Sequence, residues 1–240
     1  MSSPPTDGAA SSISVIAVGA VKHTLPEVAQ AFAEQFDCKV GLSFNTAGVT
    51  RAKVEAGDGA DIVITVADDL PAMRQKGVIA PQPPVDLGVM RMGMAVRPDD
   101  AAPDIATPQA FRQALEQARA ISYADPASGA STGVHFDALL RQLDIADSVR
   151  AKSVLTQGGL AAIQAVVERK SDLGFTVISE IRGTKGVVLA APLPEELQLV
   201  SIYSGAVLTG RNRREVADFM TFLAGDFARS RFSASGFAPH

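Results

Sequence analysis

Cysteine, tryptophan and histidine are scarce in this chain of 240 residues, which has one cysteine, no tryptophan and three histidines. A single cysteine, Cys38, excludes a disulfide within the chain and a cysteine-based metal cluster. The histidines, His23, His135 and His240, do not form a closely spaced ligand pair. We therefore expect neither a metal site nor a cofactor, and we expect Cys38 to be a small buried apolar residue.

Long apolar runs and clusters of basic residues are also missing. No run approaches the roughly 20 apolar residues of a membrane span, so membrane insertion is not expected. The net charge of −4 gives no basis for binding nucleic acid or an anionic membrane. The first eleven residues lack the basic start and apolar segment of a secretory signal. We expect residues 1–11 to be a disordered leader and the protein to be cytoplasmic, or periplasmic if a signal was removed.

Short apolar strands alternate with amphipathic helices from Ser12 onward. Residues 13–18 form an apolar run, and Leu25, Val28 and Phe32 then recur at helical spacing. Further strands are predicted at residues 40–44 and 61–65. Strands that alternate with helices over short links predict a parallel sheet, and ligands of such sheets bind at the carboxyl ends of the strands.

A second unit of the same kind follows the proline-rich junction at residues 80–84. A long strand is predicted at 87–96, a helix begins after Thr107, and another helix is capped by Ser131. A final strand at 197–208 and a helix from Arg213 then return to the first unit, so the chain crosses between two lobes and forms a hinge. The pattern predicts one lobe of residues 12–84 plus 203–240 and another of 85–202.

Four stretches of the chain resemble the type II periplasmic-binding-protein superfamily and, within it, the molybdate-binding family. They are residues 17–32, residues 43–64, Asp125-Pro126 with the helix after it, and residues 165–175. The resemblance implies an α/β fold of two lobes, with a hinge and a ligand cleft between them. Molybdate binders hold their oxyanion with serine hydroxyls, backbone N–H groups and a tyrosine. Here Gly19-Ala20, Thr46-Ala47 and Val177 occupy the matching positions, so we expect molybdate and tungstate to bind poorly.

Candidate ligand-binding residues lie at the strand ends and helix starts that this resemblance points to. They are Gly19, Ala20, Val21, Asn45, Thr46, Ala47, Thr65, Ser131, Thr132, Gln157, Gly158 and Gly159.

Lys22 and His135 lie near helix N-termini, where a dipole already attracts anions. Their charge favours a ligand with several carboxylates over one tetrahedral oxyanion. The alternative is that Lys22 faces solvent and that His135 only packs. The motifs are similar to those of the bacterial aconitate isomerases, which implies an allylic proton shift with Lys22, His135 and Glu180 as catalytic residues. Glu180 is equally typical of a surface residue on a short helix.

Two functions of different classes are therefore compatible with the sequence. One is an isomerase acting on a small polycarboxylate. The other is the non-catalytic solute-binding component of an ABC transporter, whose partner is a membrane permease. Ionisable residues at the cleft loops favour the enzyme, whereas the superfamily as a whole favours transport.

Overall fold

A computed structural model describes residues 11–240, and the predicted leader lies outside these residues except for Ser11, which is already in a strand. The strands are β1 (Ser11–Val18), β2 (Cys38–Asn45), β3 (Ile62–Val66), β4 (Val85–Val96), β5 (Ile121–Ala124), β6 (Ser153–Thr156), β7 (Leu173–Val177), β8 (Val188–Pro192) and β9 (Val200–Val207). The α-helices are α1 (Leu25–Phe36), α2 (Ala47–Glu55), α3 (Leu70–Gln75), α4 (Pro108–Gln117), α5 (Ser131–Gln142), α6 (Ala146–Arg150), α7 (Gly159–Val167), α8 (Ile178–Gly183), α9 (Arg214–Leu223) and α10 (Asp226–Ala234).

The first lobe is built on the strand order β2-β1-β3-β9 and the first half of β4. β1 pairs in parallel with β2 and β3, because each is followed by a helix that returns the chain to the same edge. β9 and β4 run antiparallel at the other side. The apolar faces of α1 and α9 meet on the sheet, where the rings of Phe32 and Phe219 pack edge to face at 5.0 Å.

The second lobe uses the second half of β4 together with β7, β5, β6 and β8. Its core is a stack of aromatic rings under α4 and α5, in which Phe136 lies 4.6 Å from Tyr123 and 4.7 Å from Phe175. Removing such a fully buried ring costs roughly 3–5 kcal/mol, so these rings contribute strongly to the stability of the second lobe.

β4 belongs to both lobes and is one of the two connections between them. Through Arg91 it pairs with β9, and from Met92 it pairs with β7 and β8. The change of sheet therefore falls inside β4, later than the boundary predicted at residue 85. The chain returns to the first lobe at Val200, where β9 begins, slightly before the predicted residue 203. Two extended crossings are the geometry of a hinge.

Most predicted elements are present, with a few corrections. Thr107 caps α4 as expected, since its Oγ1 accepts from the Ala110 N–H at 3.1 Å. Ser131 is instead the first residue of α5, after Ala130, and its hydroxyl makes no capping bond. Leu197 lies in a 3-10 turn rather than in the last strand. β8, α3, α6 and α10 were not predicted, because each is short or has a weak apolar stripe.

Within residues 11–240, no helix is long and apolar enough to cross a membrane. The same residues contain no group of three histidine, cysteine or carboxylate side chains that could hold a metal ion.

Candidate functional site

A cavity of about 230 Å³ lies between the lobes, where the strand ends of the first lobe meet the helix starts of the second. Three of its lining side chains are ionisable: Lys22, Glu180 and Tyr203. The remaining lining residues are Val18, Gly19, Ala20, Phe44, Asn45, Thr46, Ala47, Val66, Ala130, Ser131, Thr132, Gln157, Gly158, Gly159, Leu160, Ala161 and Val177. The lining is thus mostly apolar, with a few polar groups from both lobes, which is typical of small-molecule sites.

Most of the predicted site residues line this cavity. They are Gly19, Ala20, Lys22, Asn45, Thr46, Ala47, Ser131, Thr132, Gln157, Gly158, Gly159 and Glu180. The sequence located them because each follows a strand or begins a helix.

Three predicted residues do not line the cavity. Val21 is fully buried in the core of the first lobe. Thr65 is also buried, and its Oγ1 donates to Asp69 Oδ2 at 3.2 Å. His135 lies one turn further along α5 than Thr132, and its Nε2 is 2.9 Å from the backbone oxygen of Leu197. The ring of His135 is thereby engaged in a structural contact away from the cavity.

Glu180 is buried rather than exposed, with only 6% of its surface accessible. It lies in the first turn of α8, and its Oε2 accepts a hydrogen bond from Thr176 Oγ1. Two glycines make room for the carboxyl. A Cβ on Gly19 would lie 2.6 Å from Glu180 Oε1, and a Cβ on Gly159 would lie 2.1 Å from Oε2. One glycine comes from each lobe, so the carboxyl is held at the junction of the two.

Burial raises the pKa of Glu180 from its ordinary value of 4.5 to about 7. Loss of hydration is the largest cause, and the Thr176 hydrogen bond and the charge of Lys22 oppose it. A carboxyl with this pKa can both accept and return a proton near neutral pH.

Helix N-termini supply further attraction for an anion. α2, α5 and α7 begin at the cavity with Ala47, Ser131 and Gly159, and each brings the positive end of its dipole to it. In α2 the Gly48 and Val49 N–H groups are bonded to Gly129 and to Thr46 Oγ1, so this helix contributes mainly its dipole. Asn45 adds a buried amide, whose Nδ2 has no hydrogen-bond partner among residues 11–240. The exposed Lys22 adds a full positive charge. The polar groups of the cavity are thus mainly donors.

Hydrogen bonds also connect the two lobes beside the cavity. Thr46 Oγ1 donates to the Ser128 carbonyl at 2.7 Å, and the Gly48 N–H donates to the Gly129 carbonyl at 2.8 Å. Elsewhere, Ser179 Oγ donates to the Ala20 carbonyl at 2.8 Å. These bonds connect residues of opposite lobes, so the conformation is a closed one.

Several apolar lining residues and Tyr203 were missed by the sequence reasoning. Phe44 and Leu160 are apolar residues of a predicted strand and a predicted helix, whereas Val177 lines the cavity at the position where the molybdate binders have a tyrosine. Tyr203 was named as part of the last strand, with no role. Its only signal in the sequence is that a tyrosine at the carboxyl side of a lobe crossing can reach the cleft.

Comparison with known proteins places the chain among relatives of matching length. A family model described as bacterial extracellular solute-binding protein matches residues 13–238. Aconitate isomerase of a Pseudomonas species is 29% identical over 237 residues, covering 95% of this chain and 87% of that relative. The molybdate-binding protein ModA of Escherichia coli strain K12 is 22% identical over 227 residues, covering 94% of this chain and 88% of that relative.

A solved structure agrees with these relatives. The periplasmic molybdate-binding protein of Azotobacter vinelandii superposes with a TM-score of 0.79 at 18% identity, covering 95% of this chain and 99% of that one. The two-lobed periplasmic-binding-protein fold and its divergent molybdate-binding-like branch, both predicted from sequence, are confirmed.

Proposed function

This chain belongs to the bacterial extracellular solute-binding protein family, as an anion-binding member, and we propose that it binds a small organic polycarboxylate and moves a C=C bond within it. The proposed reaction is an allylic proton shift of the kind that interconverts isomers of aconitate. The relative named aconitate isomerase supports this reaction class. The observation that carries the proposal is the buried, cavity-lining carboxyl of Glu180.

The donors of the cavity support a ligand with several carboxylates. One carboxylate can be bound by Lys22, and others by the N-termini of α2, α5 and α7. Each helix N-terminus acts as roughly half a positive charge, so these groups together balance more than one negative charge. A single tetrahedral oxyanion would leave part of this donor set unused, and it would lie beside the carboxyl of Glu180. Molybdate and tungstate are therefore expected to bind poorly.

Glu180 supplies the proton chemistry in this proposal. Its carboxylate takes a proton from the sp³ carbon next to a substrate carboxylate. The C–H electron pair forms a new C=C bond to the central carbon, and the π pair of the original C=C bond moves toward the far carbon and the carboxylate attached to it. The charge moves onto the substrate carboxylate, where Lys22 stabilises it. The protonated Glu180 then returns the proton to the far carbon of the allyl system. The substrate carboxylate loses its extra negative charge, Glu180 is a carboxylate again, and the double bond is shifted by one position. His135, which the resemblance implied as a further catalytic residue, has no part in this step because its ring contacts the Leu197 carbonyl.

The experiment is to incubate the purified protein with cis-aconitate and to separate the cis and trans isomers by liquid chromatography. The expected result is catalytic conversion, with cis-aconitate also raising the melting temperature of the protein. A ligand at about a hundred times its Kd should add roughly 2.7 kcal/mol of stability. Binding without any conversion would reject the isomerase and leave a receptor.

The receptor is the second candidate, because the molybdate-binding relatives bear names of binding proteins and the lobes are closed over the cavity. In this case the protein delivers its anion to an ABC permease, and Glu180 stays protonated and donates a hydrogen bond to the ligand. Calorimetry would then give a Kd for the polycarboxylate, and chromatography would show an unchanged ligand.

A further inference from the structure

Tyr203 lines the cavity, and its phenol hydroxyl forms no hydrogen bond with any other described residue. It lies in β9, where its backbone pairs with Val66 on one side and with Gly88 on the other. Only 3% of its surface is exposed, and it lines the cavity. The hydrogen bonds of residues 11–240 include none to its hydroxyl. That hydroxyl is not fully enclosed by protein atoms either, so it opens onto the cavity that Tyr203 lines.

The ring of Tyr203 is held in place by its neighbours. It packs edge to face against Phe237 at 5.7 Å, and Phe237 in turn packs against Phe232 at 5.1 Å. The backbone beside it is equally constrained. Gly88 has φ of +129°, and a Cβ there would lie 2.6 Å from the Ala238 carbonyl oxygen. A ring fixed by packing and by sheet pairing can present its hydroxyl without loss of conformational entropy when a ligand arrives.

The hydroxyl remains protonated through the working pH range. Burial raises the pKa of Tyr203 well above its ordinary value, and the charge of Glu180 raises it further. Tyr203 and Glu180 line the same cavity. Tyr203 is thus a permanent hydrogen-bond donor beside the carboxyl that exchanges the proton.

We propose that Tyr203 is a catalytic residue whose hydroxyl donates a hydrogen bond to the substrate carboxylate that gains charge when Glu180 removes the proton. This role rests on the proposed function and names a second participant in it. When Glu180 takes the proton from carbon, electron density moves through the allyl system toward the carboxylate on its far carbon and increases the charge on the oxygens of that carboxylate. The hydrogen bond from Tyr203 becomes stronger at that moment, while the phenol keeps its own proton. When Glu180 returns the proton to the far carbon, the charge on the carboxylate falls again.

Tyr203→Phe tests this role because it removes only the hydroxyl. Since that hydroxyl has no partner in the described protein, the ligand-free melting temperature should not fall. The kcat for cis-aconitate should fall by about 10² to 10³, which is the usual effect of losing one such donor. KM should change by less than about threefold, because the bond strengthens mainly in the transition state.

The matched control is Tyr123→Phe, which alters the other tyrosine of the chain. Tyr123 is 1% exposed in the core of the second lobe, beside Ser153 and Arg150 and outside the cavity lining. This variant should keep the wild-type kcat and KM, even if its melting temperature drops.

The outcomes separate this proposal from the one on which it rests. A large loss of kcat in Tyr203→Phe alone, with KM nearly constant, supports the role of Tyr203. Wild-type kcat in Tyr203→Phe overturns that role and leaves the isomerase in place, as does a rise in KM with kcat unchanged. If the wild-type protein binds cis-aconitate but does not convert it, both proposals fail, and the wild-type data alone reveal it.

Discussion

Glu180 and Asp61 are carboxylates buried to almost the same extent, with 6% and 4% of their surfaces exposed, but their surroundings differ. Asp61 Oδ2 accepts from the Ser14 N–H at 2.8 Å, from Ser14 Oγ at 3.1 Å and from Arg213 Nη2 at 2.9 Å. Glu180 accepts one hydrogen bond, from Thr176, and has no arginine beside it.

The two regions therefore do different work. Around Asp61 the charge is fully paired, and it ties β1 to the start of β3 and to the residue before α9. Glu180 has only one hydrogen-bond donor and lines a cavity, and burial of its carboxyl without further partners lowers the stability of the fold. A buried carboxyl with many partners stabilises the fold, whereas one with few partners and an open space beside it is available for chemistry.

The largest expected effect is on turnover in Glu180→Gln. This change keeps the size of the side chain but removes the group that exchanges the proton. The kcat for cis-aconitate should fall by about 10² to 10⁴, while calorimetry should still detect ligand binding. Initial rates at several pH values provide the measurement.

Asp61→Asn is the matched control for this comparison. It should lose roughly 1–3 kcal/mol of stability, because a charged acceptor of three hydrogen bonds is replaced by a neutral amide. Its kcat should stay within about twofold of wild type. Equal losses of kcat in Glu180→Gln and Asp61→Asn would contradict a catalytic role for Glu180 that Asp61 does not share.

The next effect is on the pH dependence of stability. Because the pKa of Glu180 is raised from 4.5 to about 7, the folded state favours the protonated carboxyl. The contribution of Glu180 to the free energy of unfolding is therefore highest below about pH 4.5, where the carboxyl is protonated in both the folded and the unfolded state. It decreases as the pH rises to about 7, because the unfolded chain loses this proton first. Glu180→Gln cannot ionise, so above pH 7 it should be more stable than the ligand-free wild type, by up to about 3 kcal/mol.

Chemical denaturation of both proteins between pH 4.5 and 8 measures this difference. The gap should grow with pH and level off above pH 7, with Lys22 reducing its size through its attraction for the ionised carboxylate. A gap that does not change with pH would show that Glu180 is as well satisfied as Asp61.

The smallest expected effect concerns closure of the lobes. A Cβ on Gly48 would lie 2.9 Å from Gly129 Cα and 3.0 Å from its carbonyl oxygen, so Gly48→Ala should hold the lobes apart at this point. Ligand affinity should fall by about tenfold, or about 1.4 kcal/mol, in calorimetry. Gly59→Ala is the control, since its Cβ would meet only Arg211 Nη2, at 3.9 Å. Equal ligand affinity in Gly48→Ala and Gly59→Ala would show that the Gly48–Gly129 contact is not needed for closure of the lobes.

The fold was more predictable from sequence than the site. Strand β7 and the Thr107 cap of α4 follow from local patterns, and local patterns also locate strand ends and helix starts such as Asn45 and Gly159. Which way a side chain faces depends on how the two lobes meet, and no local pattern records that. His135 therefore looked like a site residue and is not in the cavity lining.

Glu180 and Tyr203 are the opposite case, because both line the cavity although their local sequence does not indicate it. Glu180 occurs in a short polar segment that is typical of a surface helix, and its burial arises because Gly19 and Gly159 come from distant parts of the chain. Tyr203 reaches the cavity because β9 joins the lobes beside β4. Both depend on contacts between elements far apart in the sequence.

The most direct test of the central claim is a proton NMR time course of cis-aconitate with the wild-type protein in D₂O. We expect signals of the trans isomer to appear at a rate proportional to protein concentration, with the methylene signal retained in the product because Glu180 returns the proton that it removed. Unchanged cis-aconitate signals, in a sample where calorimetry shows the ligand bound, would contradict it.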